Sequence, residues 1–117
     1  MGTSGIAWVN DKLFLVDWQE GKLLRCHLDS VEDELVIEKS YTGTYNFNHF
    51  YGIGWDGTHL WVGDYTDGWA YYFNQNLELQ DRYISPGFHP TGWAYDGTYL
   101  SNSDTSANRI FKTYPPD

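Results

Sequence analysis

The stretch GIGWDGTHLWVGD, from Gly52 to Asp64, occurs twice more with small changes. It is GWAYDGTYLSNSD from Gly92 to Asp104 and GIAWVNDKLFLVD from Gly5 to Asp17. A chain that repeats one stretch in register must repeat one structural unit. Counted from each Gly, an aromatic falls at Trp8, Trp55 or Tyr95 and a leucine at Leu13, Leu60 or Leu100. An aspartate follows at Asp17, Asp64 or Asp104. The register continues without a gap to Gly21, Gly68 or Asn108, residue types that tolerate the positive φ of a tight turn. It then enters KLLRCHL, WAYYFNQ and RIFKTYP.

Each unit reads as short strands. The first carries G-x-x-aromatic. A hairpin follows at Asn10-Asp11, Asp56-Gly57 or Asp96-Gly97, dipeptides that favour two-residue turns. The second strand is LFLVD, LWVGD or LSNSD, and the Gly or Asn turn leads into the third. ELVIEKSY and LELQDRYI then read as fourth strands with a partly solvated face. No segment shows a helical apolar period. Four antiparallel strands in about 40–45 residues are the signature of a β-propeller blade. The expected class is all-β, one domain, with residues 3–46 as blade 1, 47–89 as blade 2 and 90–117 as a partial blade 3.

Hydrophobic residues make up 41% of the 117 residues, enough for a packed core. Aromatics reach 19%, a level that serves either a core or a recognition surface. The net charge is −9 with no Lys/Arg cluster, so nucleic acid and anionic membrane surfaces are not expected partners. No apolar run approaches the ~18 residues of a membrane span. MGTSGIAW lacks the basic and apolar regions of a signal peptide, so the chain reads as soluble with its compartment left open. Cys26 is the one cysteine, which rules out an internal disulfide or a thiolate metal site.

The cadence G-x-A-W/Y-D-G-x-x-L-x-V-x-D-x-x-x-G/N-R/K-I/L resembles the propeller superfamily of NHL repeats, YWTD repeats, SMP-30/gluconolactonase proteins and glutamine cyclotransferases. GWAYDGTYLSNSDTSANRIF is similar above all to a glutamine cyclotransferase blade, and LFLVDWQEGKLLRCHLD to a YWTD blade. The resemblance spans nearly the whole chain. It implies architecture more than activity, because function in such folds sits in loops grafted on the blades. Propellers of this kind have about 4–8 blades. Three starts, the last without a fourth strand, call for something to close the ring. Two copies forming a six-bladed ring about a two-fold axis are the favoured expectation. A fragment of a longer propeller, or an oligomer of another blade count, is the alternative. The tail Pro115-Pro116 or a partner segment is expected to guard the last edge.

His49 and His89 precede blade-start glycines in HFYG and HPTG, on equivalent linkers. Two imidazoles there would hold a metal or a polar ligand, or move a proton; as loop residues they would otherwise bond locally. Together with Asn48, Tyr51 and Phe88, they suit a polar ligand with a flat face, such as a sugar or a peptide end. Packing of Phe47, Phe50 and Phe88 between blades is the competing use. Trp18 and Tyr65 directly follow the repeated Asp and would extend a stacking platform. Trp69, Tyr71 and Tyr72 lie nearby, with blade packing the expected use of their inward members. Asp17, Asp64 and Asp104 read as structural, each accepting N–H groups of the turn after it.

Lactonase relatives carry a metal-binding Glu just before a blade-start Gly, where this chain has Ser4, Tyr51 and Thr91. The acidic residues that cyclotransferase relatives use near blade starts are missing as well. There is no G-x-S-x-G, P-loop or HExxH. No catalytic residue, metal or cofactor is therefore assigned. The reading is a non-catalytic propeller module that assembles with itself and binds a small polar ligand, glycan or peptide at its loop face. A structural propeller fragment or engineered assembly with no ligand comes second. An enzyme of glutamine cyclotransferase or lactonase type comes third.

Overall fold

The computed structural model describes residues 3–42, 50–64, 68–84, 90–104, 109–113 and 115. Strands account for most of them, and no helix occurs among the described residues. The first sheet holds β1 (Thr3–Val9), β2 (Lys12–Asp17), β3 (Lys22–Asp29) and β4 (Glu34–Thr42). The second holds β5 (Phe50–Trp55), β6 (Leu60–Asp64), β7 (Trp69–Phe73) and β8 (Leu79–Ile84). The third holds β9 (Pro90–Tyr95), β10 (Leu100–Asp104) and β11 (Arg109–Thr113). Within each sheet the strands lie in chain order and every neighbouring pair is antiparallel. The all-β expectation of three repeated sheets, the last a strand short, holds among the described residues.

The repeat has a direct structural meaning. Trp8 pairs with Leu13, Trp55 with Leu60 and Tyr95 with Leu100 across the first two strands of each sheet. An aromatic opposite an aliphatic side chain is a stabilising cross-strand pair, so the spacing that recurs in the sequence is a hairpin register.

The hairpin centres differ from the sequence expectation in two units of three. In the first, Asn10 and Asp11 both take positive φ, as a tight two-residue turn requires. In the second, the central residues are Gly57 and Thr58 rather than Asp56 and Gly57. Asp56 flanks the turn, its N–H bonded to the His59 carbonyl at 3.1 Å. Its side chain accepts the Thr58 and His59 amides at 2.8 and 2.5 Å and so holds the turn from outside. Asp96 does the same for Thr98 and Tyr99.

Side chains alternate between the faces of a strand, so each sheet presents two sets. Val9, Phe14, Val16 and Leu23 of the first sheet pack with Phe50, Ile53, Leu60, Val62, Tyr71 and Phe73 of the second. Phe50 meets Tyr71 edge to face at 5.8 Å, and Tyr41 meets Phe73 at 4.8 Å, the favoured geometry for aromatic pairs. Between the second and third sheets, Trp61, Ala70 and Tyr72 pack with Trp93, Tyr95 and Leu100.

The sheets meet at their first strands. β5 lies against β1 and β2, and β9 lies against β5 and β6. Side chains also tie the first two sheets: Arg25 on β3 donates to the Gln75 carbonyl at 3.0 Å and to Asn76 Oδ1 at 3.2 Å in the turn between β7 and β8. The result is an arc of stacked sheets, 44 × 31 × 24 Å.

Candidate ligand-binding end

Strand pairing gathers one set of chain ends together. Asp17, Asp64 and Asp104, the last residues of β2, β6 and β10, pair with Thr3, Phe50 and Pro90 at the starts of β1, β5 and β9. Thr42 at the end of β4 pairs with Lys22, and Ile84 at the end of β8 pairs with Trp69. The strand ends flanking segments 43–49 and 85–89 therefore lie at the same end as the repeated aspartates.

The three aspartates are buried there, at 1, 0 and 2% exposure. Asp17 Oδ1 accepts the amides of Gln19 and Glu20 at 3.0 and 3.2 Å, bracing the turn that Gly21 completes at φ 65°. In the second sheet, the Asp64 carbonyl accepts the Gly68 amide at 3.0 Å, with Gly68 again at positive φ. In the first sheet the aspartate carboxylate itself holds the turn, whereas in the second the turn bond goes to the Asp64 backbone carbonyl.

Trp18, directly after Asp17, keeps 37% of its surface in solvent. Asn48, His49, Tyr65, Phe88 and His89 lie outside the described residues, as does Phe47. The backbone of Tyr51 lies in β5. Phe50 takes the packing role, buried between the first two sheets. Tyr71 and Tyr72 are buried as well, on opposite faces of β7. Trp69 is half-buried with the Arg82 guanidinium 4.1 Å from its ring centre.

A polar cluster that the sequence reading did not single out stands at the other end. Asp56 is 4% exposed, and besides its two turn amides it accepts the Trp61 indole N–H at 2.7 Å. His59 stands edge-on to the Tyr72 ring at 4.9 Å. Burial, with the Tyr83 hydroxyl beside it, pushes the Tyr72 hydroxyl up to about 12. With three donors converging on it, Asp56 braces a turn. The signal was present in DGTHLW, where an indole follows the turn.

On the outer strands of the first sheet, Glu38 accepts from Lys12 at 2.6 Å and Arg25 at 3.1 Å, and lies 2.7 Å from His27 Nδ1. These partners, Lys12 first, hold its carboxyl down at about 2. Among the described residues, no three His, Cys, Asp or Glu side chains converge as metal ligands. Cys26 is buried, and burial raises its thiol above the ordinary range.

No family model matches the chain, and no curated protein matches it. Solved structures do. A catalytically inactive virginiamycin B lyase from Staphylococcus aureus, with quinupristin, superposes with a TM-score of 0.76 over 97% of this chain at 17% identity. The Swd1 β-propeller domain of Myceliophteria thermophila does so with a TM-score of 0.79 over 97% at 10% identity. Regucalcin, a calcium-binding protein from Agrobacterium tumefaciens, gives 0.71 over 96% at 20% identity. The chain is a run of β-propeller blades. At these identities the likeness is one of fold. The chain spans 38, 41 and 45% of the length of those three structures.

The face of the first propeller blade turned away from the second has a buried centre, with Leu15, Leu24 and Cys26 at most 5% exposed, and an exposed apolar rim. Leu13, Leu15, Leu24 and Cys26 form an apolar cluster on it. Cross-strand pairing puts Ile6 and Trp8 beside Leu15 and Leu13, and Ile37 beside Cys26. Ile6, Trp8 and Ile37 are 62, 61 and 53% exposed. On the third blade, Gly92, Ala94, Ser101, Ser103 and Ile110 border an open groove of about 310 Å³.

Proposed function

We propose that the chain is a non-catalytic propeller module that completes its ring with a second copy of itself. It binds a small polar ligand, glycan or peptide at the end marked by Asp17, Asp64 and Asp104. The observation that carries the reading is the exposed apolar rim of the first blade, formed by Ile6, Trp8 and Ile37. Soluble chains seldom leave a patch of that kind in water, and burying apolar surface contributes about 25 cal/mol per Å².

The ligand half has its own support. Trp18 keeps an exposed ring beside a buried, rigidly bonded Asp17. Strand ends Phe50, Asp64 and Pro90, next in sequence to His49, Tyr65 and His89, stand at that end, and those three residues with Asn48, Tyr51 and Phe88 are the proposed ligand contacts. Aromatic, amide and imidazole groups on a rigid scaffold suit a flat polar ligand. One neighbour of the same fold, the lyase, was solved with quinupristin, which favours a search among small ligands. The reading needs no cofactor.

Light scattering after size exclusion tests the assembly half, with about twice the 13.6 kDa chain mass expected across dilutions. Glycan and peptide arrays test the ligand half. Binding that is present in the wild type and lost in Trp18→Ala is the expected result, and signal at background throughout would sink it.

A further inference from the structure

Both blade-to-blade contacts in the chain use the same register positions. The residue after the repeat Gly is Ile53 in the second blade and Trp93 in the third, and each packs toward the blade before it. What it meets comes from two positions of that earlier blade. One is the second residue after its Gly, Ala7 or Gly54; the other lies near the end of its second strand, Val16 or Gly63. Each joint thus has a large half and a small half, carried on opposite faces of a blade.

One large half and one small half are left over. Ile6 has the register of Ile53 but is 62% exposed, against 7% for Ile53. Trp8, at the register of Trp55, is 61% exposed. On the third blade, Ala94 has the register of Ala7 and Ser103 that of Val16, and both border the open groove. Ser101 stands where the first two blades carry buried Phe14 and Trp61, so the groove is the room of a missing aromatic ring.

We infer that these are the two halves of one joint, closed between two copies of the chain, with Ile6 of one copy seated on Ala94 of the other and Trp8 filling the room beside Ser101. Ile53 and Ala7 pack in one cluster at the first joint, so an isoleucine against an alanine has a precedent there. A second copy is the occupant because one chain carries both halves. Two copies joined head to tail about a two-fold axis cover the rim and the groove at once and close the ring. The inference rests on the self-association proposed above.

Disulfide trapping tests it. Across the second joint, a Cβ built on Gly54 would stand 2.5 Å from Trp93 Cβ, and with side chains at the corresponding positions 6 and 94 the joint must open to about the 3.5–4.5 Å that a disulfide spans. Three variants are made in a Cys26→Ser background: Ile6→Cys, Ala94→Cys and the double variant. The expected result is a covalent dimer from the double variant after mild oxidation and none from either single one, with wild-type mass near twice 13.6 kDa. A covalent dimer from Ile6→Cys alone would mean that first blade faces first blade, overturning this joint while self-association stands. A wild-type monomer at every dilution overturns both. Should Cys26→Ser fold poorly, Ile6→Arg and Ala94→Arg in the native background serve instead, since both positions are exposed. Each is expected to halve the mass, and an Ala94→Arg chain that keeps it overturns the joint.

Discussion

Gly54 lies directly beneath Trp93. A methyl group built on it would stand 2.5 Å from Trp93 Cβ and 3.2 Å from the Trp93 carbonyl carbon, neither of which is the far end of a flexible side chain. The repeat does not itself demand glycine here, since the equivalent positions are Ala7 and Ala94. What differs is the residue facing it, a tryptophan in place of Ile53. Gly54→Ala is therefore expected to cost about 1–3 kcal/mol by overpacking. Trp93→Ile should relieve part of that cost, so the double variant is expected to lose less than the two single losses combined. Urea midpoints of the four proteins measure the coupling, and strict additivity would count against the contact.

Asp56 and Asp96 hold equivalent turns with different stakes. Each accepts two turn amides, but Asp56 alone also takes an indole N–H, from Trp61; the third blade has Ser101 at that register. Asp56→Ala would leave a buried donor without its acceptor, which costs about 1–3 kcal/mol beyond the turn itself. Asp96→Ala removes an exposed turn brace, and a smaller loss is expected. Equal losses in thermal unfolding would show that the indole bond contributes nothing.

Hairpin register was readable because it depends on local spacing. Trp8 and Leu13, or Trp55 and Leu60, must pair whenever the same short turn joins them. The centre of the second hairpin was misplaced by one residue for an equally local reason. Asp-Gly is a strong turn dipeptide, yet the Asp56 side chain does more by capping the turn from its flank. Coverage was not readable, because it depends on what lies beyond the strand. Ile6 and Ile53 occupy the same place in nearly the same words, GIAW and GIGW, yet one is exposed and the other buried. Asp17, Asp64 and Asp104 recur at one register and are all buried, and at Asp17 the carboxylate accepts two turn amides. The proposed ligand contacts rest on residues that occur once or twice, and recurrence says little about those.

Trp18 offers a separation of binding from folding. Its ring is more exposed than those of Trp61, Tyr71 or Tyr72, and the carboxylate of its neighbour Asp17 braces the turn. Trp18→Ala is expected to shift stability by no more than about 0.5 kcal/mol, as surface changes usually do. Asp17→Ala is expected to cost about 1–3 kcal/mol by freeing two amides beside a buried site. A large stability loss in Trp18→Ala would mean that the ring packs, and would remove it from the proposed ligand surface.

Glu38 gives a pH dependence with a definite sign. Lys12, His27 and Arg25 hold its carboxyl at about 2, below the value near 4.5 of a free glutamate. A carboxylate whose folded pKa is lowered stabilises the fold above its unfolded value, and that contribution disappears as pH falls toward the folded one. Its window therefore runs from about pH 4.5 down to about pH 2. The cluster is exposed, so salt screening also applies. The wild type is expected to melt above Glu38→Gln at pH 6, with the gap narrowing steadily toward pH 3 and shrinking at any pH when salt is raised to about 1 M, where the screening length falls to ~3 Å. Melting curves of both proteins across that range measure it. A gap that widens on acidification would mean that protonated Glu38 is the better partner, and that Lys12 and Arg25 do not hold this edge through charge.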